Sequence, residues 1–324
     1  MRSCFLLVLA LGLATAGFGA SAPRPNLVII NIDDLGYGEI GPFGGRNRTP
    51  ELDRMAAEGR KLTSHYAAPV CSPSRSALMT GCYPKRVLPI PHVLFPAAAV
   101  GLSPAERTIA EVLKDAGYAT AAIGKWHLGD QPEFLPTRQG FESYFGLPYS
   151  NDMGPGADGI KSNRGQPLPQ PKAGTAKAKK AVDDETGVRG VQPPLALLEN
   201  DKVVGRIRPD DQIQLTRRYT ERAVAFIRER RDQPFFLYLA HNAVHFPRYP
   251  RDEFMGKSGH GLLGDWVQEI DWSVGQVLAA LREMKLDRNT LVIFTSDNGG
   301  PTNQSAVNTP LRGSKGSTWE GGIR

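Results

Sequence analysis

Cysteine is scarce in this chain, with three among 324 residues, at positions 4, 71 and 82. That excludes a small disulfide-stapled scaffold and a cysteine-rich zinc module. Cys71 and Cys82 are separated by SPSRSALMTG, which reads as a helix after Pro73. Eleven residues at ~1.5 Å rise place them roughly 16 Å apart, beyond the ~7 Å that a disulfide spans. No pairing between them is expected. Long apolar runs are also lacking. The one candidate, Phe5 to Ala16, falls short of the ~20 residues of a spanning helix. Arg2 precedes it and Ala20-Ser21-Ala22 follows, so residues 1–22 read as a secretory signal peptide. The mature chain is expected to be exported (periplasmic, secreted or lysosomal) and free of the membrane after cleavage. Aromatic residues are missing from Ile160 to Gly190, although that stretch holds seven Lys/Arg against three Asp/Glu and much of the net charge of +6. Basic residues without interleaved aromatics do not make a nucleic-acid groove. The stretch reads as a solvated loop, and residues 151–192, with the tract KAGTAKAKKA, as a low-complexity insertion. Internal repeats are absent. Two Asn-x-Ser/Thr acceptors, at Asn47 and Asn303, matter only in a host that glycosylates.

What remains is about 300 residues in which strand and helix signals alternate. NLVIINID (Asn26 to Asp33) is a continuous apolar run, as expected of a strand buried on both faces. TPELDRMAAEGR begins with Thr49 as a cap and Pro50 at the first helical position. SPAERTIAEVLKDAG carries a capping box, Ser103 with Glu106, and ends at Gly117. The strand YATAAIG follows. DQIQLTRRYTERAVAFIRERR is a long amphipathic helix before the strand PFFLYLA. LLGDWVQEIDWSVGQVLAALREMKL is another, before the strand TLVIFTS. The pattern predicts an α/β fold with a mainly parallel sheet. Each of four strands is followed by polar residues: Asp33 and Asp34; Lys125 and His127; His241 and His245; Asp297 and Asn298. In open α/β sheets, ligands sit at the carboxyl ends of strands.

Asp33, Asp34, Asp297 and Asn298 offer only hard oxygen donors, which suit Ca²⁺ or Mg²⁺ better than zinc. Each pair taken alone also fits a solvated turn. Arg75, Lys125 and Lys315 are cations that, with a divalent ion, suit a sulfate or phosphate oxyanion. His127 and His245 can move protons. Cys71, at a helix N-terminus near Arg75, reads as a thiol of depressed pKa and a candidate nucleophile, or else as a small buried residue at a helix start. The residues by themselves reach a metal-assisted ester hydrolase with an unusual nucleophile.

The segment PVCSPSRSALMTG contains C-x-P-x-R, the motif of the formylglycine-dependent sulfatases, and resembles that family's first signature throughout. GYATAAIGKWHLG is similar to the second signature, and NIDDLGYGEIG, SDNGG and GSKGSTWEGGIR match in the family's order. FLPTRQGFESYFGLPYSNDMGP looks like the arylsulfatase A group, with the N-acetylgalactosamine-6-sulfatase group similar over many of the same blocks. The resemblance implies an alkaline-phosphatase-like sandwich: a large, mainly parallel sheet flanked by helices. It also implies a smaller C-terminal domain, which does not follow Arg324, so residues 23–324 read as a truncated catalytic domain. It implies that a formylglycine-generating or equivalent maturing enzyme converts Cys71 to Cα-formylglycine and that Arg75 steadies its hydrate. It implies Ca²⁺ held by Asp33, Asp34, residue 71, Asp297 and Asn298. Lys125 and Lys315 would hold the sulfate, and His245 would protonate the leaving oxygen. His127 would take a proton from the second hydroxyl, and Ser150 would lie on the substrate side. The implied activity is hydrolysis of an aryl or carbohydrate sulfate ester. A phosphodiesterase or phosphonate hydrolase of the same superfamily, or a non-catalytic fragment that binds sulfated glycans, are the alternatives. Specificity would lie in the loops 92–100 and 151–192.

Overall fold

The computed structural model describes residues 24–168, 183–190 and 192–324. The signal-peptide reading and the tract KAGTAKAKKA therefore lie outside the described residues. In chain order the elements are β1 (Asn26–Ile32), α1 (Pro50–Glu58), α2 (Cys71–Thr80), α3 (Pro84–Val87), α4 (Ile109–Asp115), β2 (Ala119–Gly124) and β3 (Ser143–Gly146). A short hairpin follows, β4 (Asp183–Asp184) and β5 (Gly187–Val188), then β6 (Ala196–Glu199) and β7 (Lys202–Arg206). The rest is α5 (Pro209–Glu229), β8 (Phe235–Ala240), α6 (Gly261–Glu283), β9 (Thr290–Ser296) and α7 (Glu320–Ile323).

The main sheet runs β7-β6-β3-β2-β8-β1-β9. The five strands from β3 to β9 are parallel, and β6 and β7 join antiparallel at one edge. Alternation along each strand feeds two cores. Val28, Ile30 and Ile32 of β1 and Phe235, Leu237 and Leu239 of β8 face α1, α5 and α6. Ile29, Phe236, Tyr238 and Ala122 face the opposite layer with Met79 of α2, Val87 of α3 and Ala110 of α4. A central parallel strand buried on both faces has no polar side to show, so its run is apolar without a period of two. The expected α/β sandwich is the observed one.

Local details differ from the sequence reading. The capping box sits five residues later than expected: Thr108 Oγ1 accepts from Glu111 N, and Glu111 Oε2 accepts from Thr108 N. The earlier candidate, Ser103 with Glu106, forms only a turn, and α4 begins at Ile109. Thr49 does not cap α1 with its side chain, because its hydroxyl accepts from Gly41 N. Asp271 of α6 supplies the cap instead, accepting from Glu51 N and Leu52 N at 3.2 and 2.8 Å. The stretch read as a solvated loop is built into the molecule at both described ends. Ile160 and Met153 belong to the larger core, and Thr186 O accepts from Phe95 N. Asn47 is buried and donates to Glu39, so it is closed to glycosylation, whereas Asn303 is exposed.

The carboxyl ends of β2, β8, β1 and β9 lie side by side, and every strand-end residue singled out above follows one of these four. Gly124 closes β2 with φ +107°, and a Cβ there would lie 1.8 Å from the Ala240 carbonyl oxygen. Only glycine allows the two strand ends to approach this closely, and Lys125 N then donates to Ala240 O at 2.7 Å.

Candidate active site

The structure brings the candidate site residues together, but His241, singled out with them, turns into the core instead, where its Nε2 lies 3.1 Å from Ser273 Oγ of α6. Asp33 and Asp34 leave β1, Lys125 and His127 leave β2, His245 follows β8, and Asp297 and Asn298 follow β9. Ser150 comes from the loop after β3, and Lys315 from the long loop after β9. Cys71 and Arg75 sit one turn apart on α2, whose residues Cys71 to Ser76 are all buried. Asp34 and His127 both adopt the left-handed region at φ 62°, a backbone state uncommon for non-glycine residues.

Arg75 is the hub of the pocket. It donates Nε and Nη2 to Asp297 Oδ2 at 3.0 and 2.8 Å and Nη1 to the Lys125 carbonyl at 2.7 Å. Lys125 Nζ is paired with Asp33 Oδ2 and donates to Ser150 Oγ at 3.1 Å. Lys315 Nζ reaches Asp34 Oδ1 at 2.6 Å and lies 3.6 Å from Cys71 Sγ. Cys71 Sγ donates to Asp33 Oδ1 at 3.2 Å. Asp33, Asp34 and Asp297 thus face Arg75, Lys125 and Lys315. Burial works to raise the Asp33 carboxyl, but the Lys125 ammonium, with His245, Arg75 and Lys315, overrides it and holds it well below the usual range. Burial, with Asp33 adding, pushes Asp297 up to about 6. For Lys315, burial is outweighed by Asp34, and its pKa rises well above the ordinary value.

One expectation is overturned. The Cys71 thiol is not acidified: burial first, and then the Asp33 charge, push its pKa well above the ordinary thiol value. The residue is 1% exposed, and the guanidinium of Arg75 is spent on Asp297 and a carbonyl. A helix N-terminus does not compensate for burial beside a carboxylate. Cys71 and Cys82 are both free, the first buried and the second exposed.

The two histidines are held in opposite tautomers by backbone carbonyls. His127 Nε2 lies 2.9 Å from the Leu94 carbonyl and so carries the proton. Its Nδ1 is buried without a partner and is an available acceptor. Burial, reinforced by Lys125 and Arg75, lowers its pKa well below the ordinary value, so the ring is neutral. His245 Nδ1 faces the Phe246 carbonyl and Ser150 Oγ, and its Nε2 points to Asp34 Oδ2 at 3.7 Å.

The oxygen donors fit a hard divalent cation. Asn298 donates its amide to Asp34 Oδ1 at 2.8 Å and to the Gly299 carbonyl, while its own Oδ1 is buried with no partner. A buried acceptor left open beside Asp33 and Asp34 is what a calcium-sized ion would satisfy. Sequence reasoning missed the supporting groups. Tyr238 of β8 is buried and accepts from Asn31 Nδ2 at 3.2 Å, and it lies close enough to Arg75 and Asp297 to feel both charges. Leu94 and Phe246 act through their carbonyls, which no residue type advertises.

The Sulfatase family profile matches residues 25–324. The chain belongs to the sulfatase family. It is 41% identical to mouse steryl-sulfatase over 98% of this chain and 59% of that protein. It is 40% identical to human arylsulfatase A over 98% of this chain and 60% of that protein. The crystal structure of Ps i-CgsB in complex with k-i-k-neocarrahexaose superposes with a TM-score of 0.74 at 31% identity, covering 93% of this chain and 64% of that one. This sulfatase chain thus spans about 60% of the length of the curated relatives it matches.

Proposed function

We propose that the protein is a sulfuric ester hydrolase acting on an aryl or carbohydrate sulfate. The observation that carries this reading is the meeting of a C-x-P-x-R cysteine, the buried cations Arg75 and Lys125 with the half-buried Lys315, and a set of hard oxygen donors at the ends of four neighbouring parallel strands. When converted, Cys71 supplies an aldehyde whose hydrate is the nucleophile toward sulfur. When bound, Ca²⁺ supplies a fixed positive charge for a sulfate oxygen, held by Asp33, Asp34, Asp297 and Asn298 together with residue 71. Without that ion the three carboxylates and three cations cancel, and with it the pocket is net positive, as a singly charged sulfate ester requires.

The chain's own groups divide the remaining work. Lys125 and Lys315 hold sulfate oxygens and exclude water from the charged centre. Arg75 fixes Asp297 and the backbone of Lys125, so that both cations and metal ligands keep their places. Nε2 of His245, open toward the pocket, is the atom that delivers a proton to the leaving alcohol, a role that requires the ring to carry a proton on Nε2 as well as the one directed at the Phe246 carbonyl. Nδ1 of neutral His127 accepts a proton from residue 71. Ser150, between Lys125 and His245, orients both and lies on the substrate side.

Export follows from the N-terminal signal, and among the described residues no helix is long and apolar enough to cross a membrane. Maturation requires a formylglycine-generating or equivalent enzyme. Peptide mass spectrometry across Cys71, on protein from its native host, tests the reading. An aldehyde at position 71 is the expected result, and a quantitative intact thiol would remove the nucleophile on which it depends.

A further inference from the structure

The side chains beside Cys71 can serve a chemistry that does not involve sulfate. One donor atom from each of Asp33, Asp34, Cys71 and His245 lies within 4.8 Å of the other three. The lysines leave a particular pair of oxygens open. Lys125 occupies Asp33 Oδ2, and Lys315 occupies Asp34 Oδ1. The remaining oxygens face the soft donors: Asp33 Oδ1 lies 3.2 Å from Cys71 Sγ, and Asp34 Oδ2 lies 3.7 Å from His245 Nε2. Zinc bonds of about 2.0–2.3 Å at tetrahedral angles separate neighbouring donors by roughly 3.4–3.7 Å. Both observed spacings are near that range before any ion is present. The imidazole is also oriented for the task. Its Nδ1 is directed at the Phe246 carbonyl, which fixes the proton there and leaves the Nε2 lone pair toward Asp34.

We propose that the protein, while residue 71 is still a thiol, has a tetrahedral site for zinc made of Cys71 Sγ, His245 Nε2, Asp33 Oδ1 and Asp34 Oδ2. On binding, the Sγ–metal bond forms as the thiol proton leaves to solvent, and no electron is transferred. Sulfur and imidazole favour a borderline ion such as zinc, whereas an oxygen at position 71 leaves the hard set that suits calcium. Residue 71 therefore decides which class of ion its aspartates take. Zinc would occupy the unconverted chain and tie up the thiol. This inference needs only the thiol form and stands whether or not the converted protein hydrolyses sulfate esters.

The probe is Co²⁺, which takes zinc's geometry and reports its ligands by absorption. It is titrated into untagged full-length protein that retains the thiol, in a Cys82→Ser background so that the exposed cysteine contributes nothing. We expect a sulfur-to-cobalt charge-transfer band with the intense visible bands of tetrahedral cobalt, saturating at one ion per chain. Added Zn²⁺ should bleach it, and excess Ca²⁺ should not. Cys71→Ser should abolish the charge-transfer band, and His245→Ala should weaken binding at least about tenfold. The absence of a charge-transfer band in the thiol parent would overturn the proposal. So would a band that persists in Cys71→Ser, or an affinity unchanged in His245→Ala.

Discussion

Arg75 shows how much a single buried side chain can organise. Its three donated bonds join α2 to the ends of β2 and β9, and its charge is matched by Asp297 at 2.8 Å. Removing one partner of a buried pair strands the other charge in a low dielectric, at a cost of about 3–5 kcal/mol. Arg75→Ala is expected to lose stability on that scale in urea unfolding, and a loss below about 1 kcal/mol would show that Asp297 relaxes without it. His127 makes a second test. Its bare Nδ1 and neutral ring suit a general base, a role that contributes about 10²–10⁴ in rate. His127→Ala should lower kcat within that range and leave KM little changed, as read from steady-state kinetics on the converted protein. A fall under tenfold would assign the proton transfer elsewhere. The sequence showed these residues through their positions after strands and within motifs. It could not show that a carbonyl orients each imidazole, nor that burial reverses the expected acidity of Cys71.

The helices at the scale of elements explain what was legible and what was not. The strands β1, β2 and β8 were readable because burial on both faces leaves uninterrupted apolar runs, and β9 was readable from its apolar run although it lies at the sheet edge with Leu291 and Ile293 exposed. The antiparallel strands β6 and β7 escaped notice because they are short, and β7, at the sheet edge, exposes Val203 and Val204. The cap of α1 was unreadable for a different reason: its acceptor, Asp271, lies about 220 residues away on α6. That carboxyl also sets a pH response. Burial, reinforced by Glu51 and Asp53, raises Asp271 from the ordinary carboxylate value of 3.8 to about 6. Between those values the folded protein binds more proton than the unfolded chain, so this group's contribution to stability falls as pH rises. The stability of the wild type minus that of Asp271→Asn should therefore decline from pH 4 to pH 6, as followed by thermal unfolding. A flat or rising difference would contradict the assigned burial of this carboxyl.

The whole molecule is a scaffold that delivers separate stretches of chain to one place. Asp33 and Lys315 are 282 positions apart in sequence, yet both lie beside Cys71. No spacing rule links them. What made the convergence readable was topology: parallel strands joined by helices put all their carboxyl ends on one edge. The most direct test is sulfate release from an aryl sulfate and from a sulfated saccharide, beside cleavage of a phosphodiester. It should use full-length protein in which an aldehyde at position 71 has been verified. The account predicts turnover of at least one sulfate ester, faster than of the phosphodiester and lost in Cys71→Ala. Folded, converted protein that releases no sulfate from either ester, or that prefers the phosphodiester, would contradict it.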